Sequence, residues 1–160
     1  MTQITASMVK ELREKTGLGM MDCKKALEQS SGNIDLAIEN LRKNSVLDAE
    51  KKASRTAVEG IIKAKIDPTA KNVLLVEINC ETDFVSKDEN FLNFSEEVME
   101  TSILHMDDKD LLKEVTSRLE ESRKELVQKI GENVVIRNIR ILEGGVVNFY
   151  IHSNKKVAAA

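Results

Sequence analysis

The sequence predicts an α+β fold, in which a small bundle of three helices precedes an antiparallel sheet packed against two helices. A change in the spacing of apolar residues along the chain supports this prediction. Apolar residues recur at helical spacing before residue 45, whereas after Gly60 they alternate with a period of two. The later order of segments, a hairpin, two helices and a second hairpin, is typical of an antiparallel sheet covered by helices.

Length and composition restrict what the chain can be. Its 160 residues suffice for a module at residues 1–45, a linker with a short helix at residues 46–56 and a core domain at residues 57–160. The content of 41% hydrophobic and 32% charged residues is typical of a globular protein, and the net charge of −3 disfavours nucleic acid and anionic membrane as partners. Because we find neither a signal peptide nor a run of about 20 apolar residues, we expect a cytoplasmic protein without a membrane partner.

Three short helices are expected in the module. The first can be capped by Thr5 or Ser7, and it ends at Gly17, which suits a left-handed stop. The second runs over residues 20–29, and Asn33 caps the third. The residues expected to face inward are Met8, Val9, Leu12, Cys23, Ala26, Leu27, Ile34, Ala37, Ile38 and Leu41.

The connection between the first two helices reads Gly-Leu-Gly at residues 17–19. This resembles part of a phosphate-binding loop, but the preceding strand and the other glycines of that motif are missing, so we expect an inter-helix turn. Met20 and Met21 follow directly. Because adjacent side chains cannot both face one small core, we expect one of the two to be an exposed, adaptable contact.

A polar stretch over residues 44–55 follows the bundle and contains Lys51, Lys52 and Arg55. Cations of this kind can contact nucleic acid. However, acids precede them, and neither an aromatic platform nor a basic motif accompanies them. We therefore interpret them as the solvated face of a helix.

The first hairpin of the core has clear signals. Residues 62–66 alternate in polarity, residues 67–72 have turn chemistry, and residues 73–78 form an apolar run typical of a buried strand. Beyond it, Ser86 and Glu89 have the spacing of a capping box, with Ser86 as the N-cap. We expect a helix to begin there and to end near residue 105.

A long second helix and a second hairpin complete the predicted core. The helix ends at Gly131, and its apolar stripe consists of Leu111, Val115, Leu119, Leu126 and Ile130. Strands at residues 134–141 and 146–151 predict the hairpin. Residues 153–156 then predict a turn, and residues 157–160 the beginning of another strand.

Three acids, Asp107, Asp108 and Asp110, lie between the two predicted helices, with His105 nearby. Carboxylate and imidazole groups are metal ligands, but the spaced oxygens and the glycine of a calcium loop are missing. Acids at the start of a helix complement its dipole. We therefore expect these acids to serve the helix start rather than a metal.

The loop at residues 81–85 is the strongest candidate for function. It places Phe84 beside an acid, outside any apolar face, in a chain with four Phe, one Tyr and no Trp. Large aromatic side chains dominate interface energetics when a partner desolvates them. A second interpretation makes Phe84 or Val85 a hydrophobic staple over the next helix, although with Ser86 as the N-cap the staple would join Val85 to the polar Asn90.

Catalysis is not expected from these residues. We find no nucleophile with its base, paired carboxylates, metal set or cofactor loop. The one thiol pair would join Cys80 to His105 or His152, but Cys80 lies in an apolar strand that hides the thiol and raises its pKa. Cys23 and Cys80 are expected to stay reduced and buried. The residues therefore favour a binding protein without a cofactor.

Four ordered motifs carry a resemblance to a known family: LREKTGLGMMDCKKAL at residues 12–27, EG at residues 59–60, CETDFV at residues 80–85 and IGEN at residues 130–133. Together they closely resemble bacterial elongation factor Ts, the guanine-nucleotide exchange factor of the GTPase elongation factor Tu. The resemblance covers nearly the whole chain. It implies that the chain binds elongation factor Tu in its GDP-bound and nucleotide-free forms, and that its amino-terminal helices form a ubiquitin-associated-like (UBA-like) module.

The resemblance also implies residue roles. It assigns Phe84 as a wedge near the magnesium and nucleotide site of the partner, surrounded by Thr82, Asp83 and Val85. His152 is a further candidate contact. The implied contact surface of the module consists of Arg13, Met20, Met21 and Lys24.

Two expectations concern the extent and the class of the protein. Longer family members continue beyond the last predicted strand, whereas short members pair two chains, and this sequence departs from both patterns. Residues 57–160 are therefore expected to be either a truncated core domain, which lacks part of the partner surface, or a naturally short one. Its unfinished sheet edge favours self-association, or stability only in a complex with elongation factor Tu. The alternative function is a structural scaffold whose amino-terminal bundle binds a helix.

Overall fold

The computed structural model describes residues 3–160 of the chain. Within these residues the six α-helices are α1 (Ala6–Thr16), α2 (Met20–Gln29), α3 (Ile34–Lys52), α4 (Glu89–Leu104), α5 (Leu111–Arg118) and α6 (Glu120–Ile130). The five strands there are β1 (Glu59–Ile66), β2 (Asn72–Cys80), β3 (Val135–Glu143), β4 (Tyr150–Ile151) and β5 (Ala158–Ala159). Together they confirm the predicted α+β class. None of the helices in this part of the chain combines the length and apolar character needed to cross a bilayer.

The first three helices form a bundle whose ends follow the predicted signals. The Thr5 hydroxyl caps α1 by accepting a hydrogen bond from the Met8 amide at 3.3 Å. Asn33 caps α3 in the same way. Gly17 ends α1 with φ +68°, and its amide donates to the Arg13 carbonyl at 2.8 Å. The buried residues of the bundle are Val9, Leu12, Leu18, Cys23, Ala26, Leu27, Ala37 and Leu41.

Helix α3 continues to Lys52, where the sequence predicted a linker and a short helix. The reason lies in its buried face. Ser45, just before the predicted linker, is buried, and Ala49 within that linker packs into the hydrophobic core of the second part of the chain. Farther back on α3, the carbonyl of Leu41 accepts a hydrogen bond from the Gln128 side chain of α6 at 3.1 Å. One continuous helix therefore joins the bundle to the core.

A three-stranded antiparallel sheet, in the order β1-β2-β3, forms the centre of the core. Its central position explains why β2 is almost continuously apolar. Helix α4 packs on β1 and β2, and α5 packs on β3. Gly60 in β1 has φ +138°, and a Cβ there would lie 2.1 Å from the carbonyl oxygen of Ile78, so the close approach of the two strands requires glycine. The largest buried side chains of this core include Phe91, Leu74, Ile78, Met99, Val76 and Val98.

The predicted long second helix is wrong in one respect, because it is divided at Leu119 into α5 and α6. Both parts contact α4, but α5 also packs on β3, whereas α6 packs on α3. A straight helix presents one stripe to one neighbour. The interruption at Leu119 separates the helix that packs on β3 from the helix that packs on α3, and this part of the chain contains three helices where two were expected.

The predicted second hairpin is also wrong, because β3 and β4 do not pair. Strand β3 pairs with β2, while β4 pairs with β5 in a separate two-stranded sheet. The Gly144 amide donates to the Lys71 carbonyl at 2.9 Å and holds the end of β3 against the first hairpin. The Ile62 amide donates to the Lys155 carbonyl at 2.7 Å, so the turn between β4 and β5 lies against β1. The predicted turn at residues 153–156 and the strand after it are confirmed.

Candidate functional site

The candidate loop leaves the end of β2 and enters α4 through a short 3₁₀ turn, Val85–Lys87. The Phe84 side chain is 81% exposed, although its backbone has ordinary right-handed helical angles. Val85 instead is partly buried and packs against the core. Of the two residues in the staple interpretation, Val85 is therefore the one that faces inward, while the phenyl ring of Phe84 projects into solvent.

The predicted capping box at Ser86 is wrong, because Asp88 caps α4. The Asp88 carboxylate accepts hydrogen bonds from the amides of Asn90 at 2.8 Å and Phe91 at 3.4 Å. Ser86 lies within the 3₁₀ turn, so its hydroxyl points back and donates to the Asp83 carbonyl at 2.8 Å. Its role is to close the loop, and the residue is buried.

Two carboxylates bind the loop to the turn that follows α6. Glu132 accepts three hydrogen bonds from the loop: from the amides of Glu81 at 3.1 Å and Thr82 at 3.0 Å, and from the Thr82 hydroxyl at 2.7 Å. In return, Glu81 accepts a hydrogen bond from the amide of Asn133 at 2.6 Å. We call these four residues the carboxylate clasp. All four residues belong to the CETDFV and IGEN motifs, but no local signal in the sequence predicts a supporting role for Glu81, Glu132 or Asn133.

The clasp is also joined to the end of α3. The Asn133 side chain donates to the carbonyl of Arg55 at 2.9 Å and to that of Ala53 at 3.4 Å. The Arg55 guanidinium lies 3.6 Å from the Glu81 carboxylate. These contacts connect three segments that are far apart in sequence, and they give Arg55 a place in the support of the loop.

Asp83 is the charged member of the loop. Its carboxylate accepts a hydrogen bond from the Lys87 ammonium at 2.8 Å, and this bond lowers the pKa of Asp83 below its ordinary value. Asp83 therefore stays ionised at neutral pH. Because Asp83 and Phe84 are both exposed, the loop offers a partner a carboxylate beside an aromatic ring.

Cys80 lies at the base of the loop with its thiol buried. Burial, followed by the nearby charges of Glu132 and Glu59, raises the pKa of Cys80 to about 12. The thiol donates to the Thr82 carbonyl at 3.2 Å. A neutral thiol with this environment is a poor nucleophile, so Cys80 supports the loop rather than a covalent step.

The predicted contact residues of the bundle lie on its surface. Arg13 and Lys24 are exposed, and Met20 and Met21 are 60% and 61% exposed, so both methionines are free of the core where one was expected to be. The connection at residues 17–19 is the expected turn between α1 and α2. The bundle therefore presents flexible apolar side chains next to cations.

His152 lies in the connection between β4 and β5. Its imidazole is exposed and makes an edge-to-face contact with Tyr150, with ring centroids 6.4 Å apart. Lys156, in the same turn, forms an ion pair with Glu59 at the start of β1. The positive charge of Lys156 also contributes, less than Lys87 does, to the lowered pKa of Asp83.

Of the three acids between α4 and α5, only Asp108 lies in a group of possible metal ligands. His105, Asp108 and Glu114 offer ligand atoms that lie within 4.8 Å of one another. However, the Arg118 guanidinium already holds Glu114 at 2.6 Å. Asp110 caps α5 by accepting from the Lys113 amide at 3.2 Å, as its place at the helix start predicted.

Comparisons with known proteins show which family the chain belongs to. The family model described as Elongation factor TS matches residues 81–160, which include the loop and its clasp. Elongation factor Ts of Marinobacter nauticus is 50% identical over 159 residues, covering 99% of this chain and 55% of the relative. The proteins of the same name from Teredinibacter turnerae and Yersinia pestis are 50% identical over 157 and 153 residues, covering 97% and 95% of this chain and 53% of each relative. The chain thus spans about half the length of the curated relatives it matches, and it belongs to the elongation factor Ts family.

Proposed function

We propose that the chain acts in translation elongation as a guanine-nucleotide exchange factor, binding elongation factor Tu and promoting GDP release. One observation carries the proposal. Phe84 is 81% exposed on a loop whose backbone is held by buried and half-buried groups. An exposed aromatic ring on a fixed support is suited to enter a partner, because little conformational entropy remains to be lost.

The wedge acts through packing. Mg²⁺ requires near-ideal octahedral geometry and shares its ligands with nucleotide phosphates, so a ring that displaces its neighbours weakens metal and nucleotide together. Phe84 would supply the ring. Thr82 and Val85 would hold it in place, and Asp83 would contribute its charge. No covalent step and no cofactor are needed.

The bundle would anchor the complex away from the nucleotide. Met20 and Met21 provide adaptable apolar contacts, while Arg13 and Lys24 provide positive charge. His152 would contribute at a further point of contact. Two separate contacts on one chain make the second encounter intramolecular, which raises the effective concentration of the wedge.

Exchange also sets a thermodynamic requirement. The chain must bind nucleotide-free elongation factor Tu more tightly than the GDP-bound form. Linkage then makes nucleotide weaken the binding of the chain by the same factor. This reciprocity releases the chain after each cycle, and we place that cycle in the cytoplasm without direct contact to nucleic acid.

The test is to mix the chain with elongation factor Tu that carries fluorescent GDP and to follow the loss of fluorescence. We expect release to accelerate with chain concentration until it saturates. Binding without acceleration, measured on the same samples by sedimentation, would contradict the proposal and leave a scaffold that binds a helix through its bundle. Sedimentation of the chain alone tests the expected self-association.

A further inference from the structure

We propose that Glu132 is a positioning residue for nucleotide exchange, which holds the loop from Thr82 to Val85 so that Phe84 points outward. The inference rests on the proposed function and deepens it. Glu132 does not lie in the loop and comes from the turn after α6. Its carboxylate nevertheless accepts three hydrogen bonds from two loop residues, all between 2.7 and 3.1 Å.

The loop needs this acceptor because the sheet ends before it. Cys80 is the last residue of β2 to pair with β1, and Asn79 the last to pair with β3. The amides of Glu81 and Thr82 therefore have no strand partner. A carboxylate can accept from several donors at once, and such charge-assisted bonds are stronger than neutral ones.

In the part of the chain that the structure describes, the Glu132 carboxylate interacts with the loop and not with a cation. Among residues 3–160, no cationic side chain forms an ion pair with it, in contrast to many other acids of the chain. Glu132 is also half-buried. The hydrogen bonds from the loop offset the cost of partly desolvating the Glu132 carboxylate. If the loop moved away, most of these bonds would be lost and the cost would remain.

The ring of Phe84 depends on this support. At 81% exposure the side chain has few contacts of its own, so the backbone sets its direction. The return bond from the Asn133 amide to Glu81, and the bonds from the Asn133 side chain to Ala53 and Arg55, extend the same support to the end of α3. Release of the clasp would leave the ring present but unordered, and the partner would then have to order it.

Two substitutions and one control test the inference. Glu132→Ala removes all three acceptor contacts, whereas Glu132→Gln keeps one neutral acceptor oxygen and nearly the same volume. The control, Glu121→Gln, removes the same charge from an exposed position on α6 whose contact is Lys124. Each variant is compared with the unchanged chain for thermal unfolding and for two further measurements.

The first measurement needs no partner. Amide hydrogen exchange, followed by NMR, should show the Glu81 and Thr82 amides protected in the unchanged chain and in Glu121→Gln. We expect their protection to fall about tenfold or more in Glu132→Ala, with Glu132→Gln between the two. Amides that stay protected in both Glu132 variants would overturn the inference.

The second measurement separates positioning from binding. The maximal rate of GDP release should fall about tenfold in Glu132→Ala, while the chain concentration giving half the maximal rate changes less, because the bundle still anchors the complex. If Glu132→Ala does not fold, Glu132→Gln must show a smaller fall in the maximal rate, again with less change in the chain concentration that gives half the maximal rate. A maximal rate that is unchanged although the amides lose protection would overturn the positioning role.

The two measurements also distinguish this inference from the proposed function. If the unchanged chain does not accelerate release, exchange activity is contradicted, while the amide measurement still decides whether Glu132 holds the loop. If the unchanged chain accelerates release and the Glu132 variants match it in both measurements, the proposed function stands and the positioning role is wrong.

Discussion

Replacing Phe84 by alanine distinguishes an exposed contact from a core residue. Because the Phe84 side chain is 81% exposed, its removal should change the free energy of unfolding by no more than about 0.5 kcal/mol, as for other surface substitutions. Phe91 on α4 is a matched control, since it is the same residue type at 0% exposure. Phe91→Ala should cost about 3–5 kcal/mol. In a chain of this size these costs correspond to shifts in Tm of at most about 2 °C and of roughly 6–20 °C.

Phe84→Ala should slow nucleotide release strongly even though it hardly changes stability. If the partner buries the phenyl ring only as nucleotide leaves, its removal withdraws about 1.5–3 kcal/mol from that step, which slows release about 10- to 150-fold. Stopped-flow release of fluorescent GDP from elongation factor Tu, at saturating chain, measures this. Leu104→Ala serves as the control, because Leu104 is a similarly exposed apolar residue at the far end of α4.

Two results would refute the reasoning. A Phe84→Ala chain that loses as much stability as Phe91→Ala would place the ring in the core. A stable Phe84→Ala chain that accelerates release as well as the unchanged chain would leave Phe84 without a role in exchange.

Three further predictions follow from other parts of the chain. Changing Met20 and Met21 to glutamate should raise the chain concentration needed for half-maximal release without lowering the maximal rate, as titration would show; a fall in the maximal rate alone would contradict anchoring. Cys80 should react with iodoacetamide at pH 8 about a thousandfold more slowly than a thiol with the ordinary pKa, because its pKa of about 12 leaves that much less thiolate, and peptide mapping by mass spectrometry would detect faster labelling. The hydrogen bond from Thr69 lowers the pKa of Asp67 to about 2, so its stabilising contribution is complete above about pH 4 and is lost as pH falls towards 2. Thermal unfolding of Asp67→Asn should lack that part of the pH dependence.

Local features of the fold could be predicted from the sequence because their causes lie within a turn or two of chain. Thr5 and Asn33 cap the helices that they precede, and Gly17 ends α1 in the left-handed conformation. The bounds of α2 and the inward face of the bundle agree with the helical period. The apolar run of β2 indicated a buried strand, and β2 is the central one.

The exposure of Phe84 was also open to prediction, since an aromatic residue beside an acid had no apolar face to join. The start of α4 was harder, because Ser86 and Asp88 are both good N-caps and lie two positions apart. The 3₁₀ turn selected Asp88 by giving it extended backbone angles, while the Ser86 hydroxyl turned back to the loop. Residue type predicts which residues can be the N-cap, and the course of the backbone determines which of them is.

Tertiary structure decided the features that depend on distant partners. The division at Leu119 follows from which elements α5 and α6 pack against, and the pairing of β3 with β2 rather than β4 follows from the position of the first hairpin. The clasp is the clearest case. Nothing in the neighbourhood of Glu132 marks it as the acceptor for the Thr82 amide, because the two residues meet only after the sheet and α6 have packed. The sequence by itself therefore determined the α+β class, the starts of α1 and α3 and the end of α1, and it favoured an exposed Phe84 over a staple. Long-range packing determined where α3 ends and what holds the aromatic side chain in place.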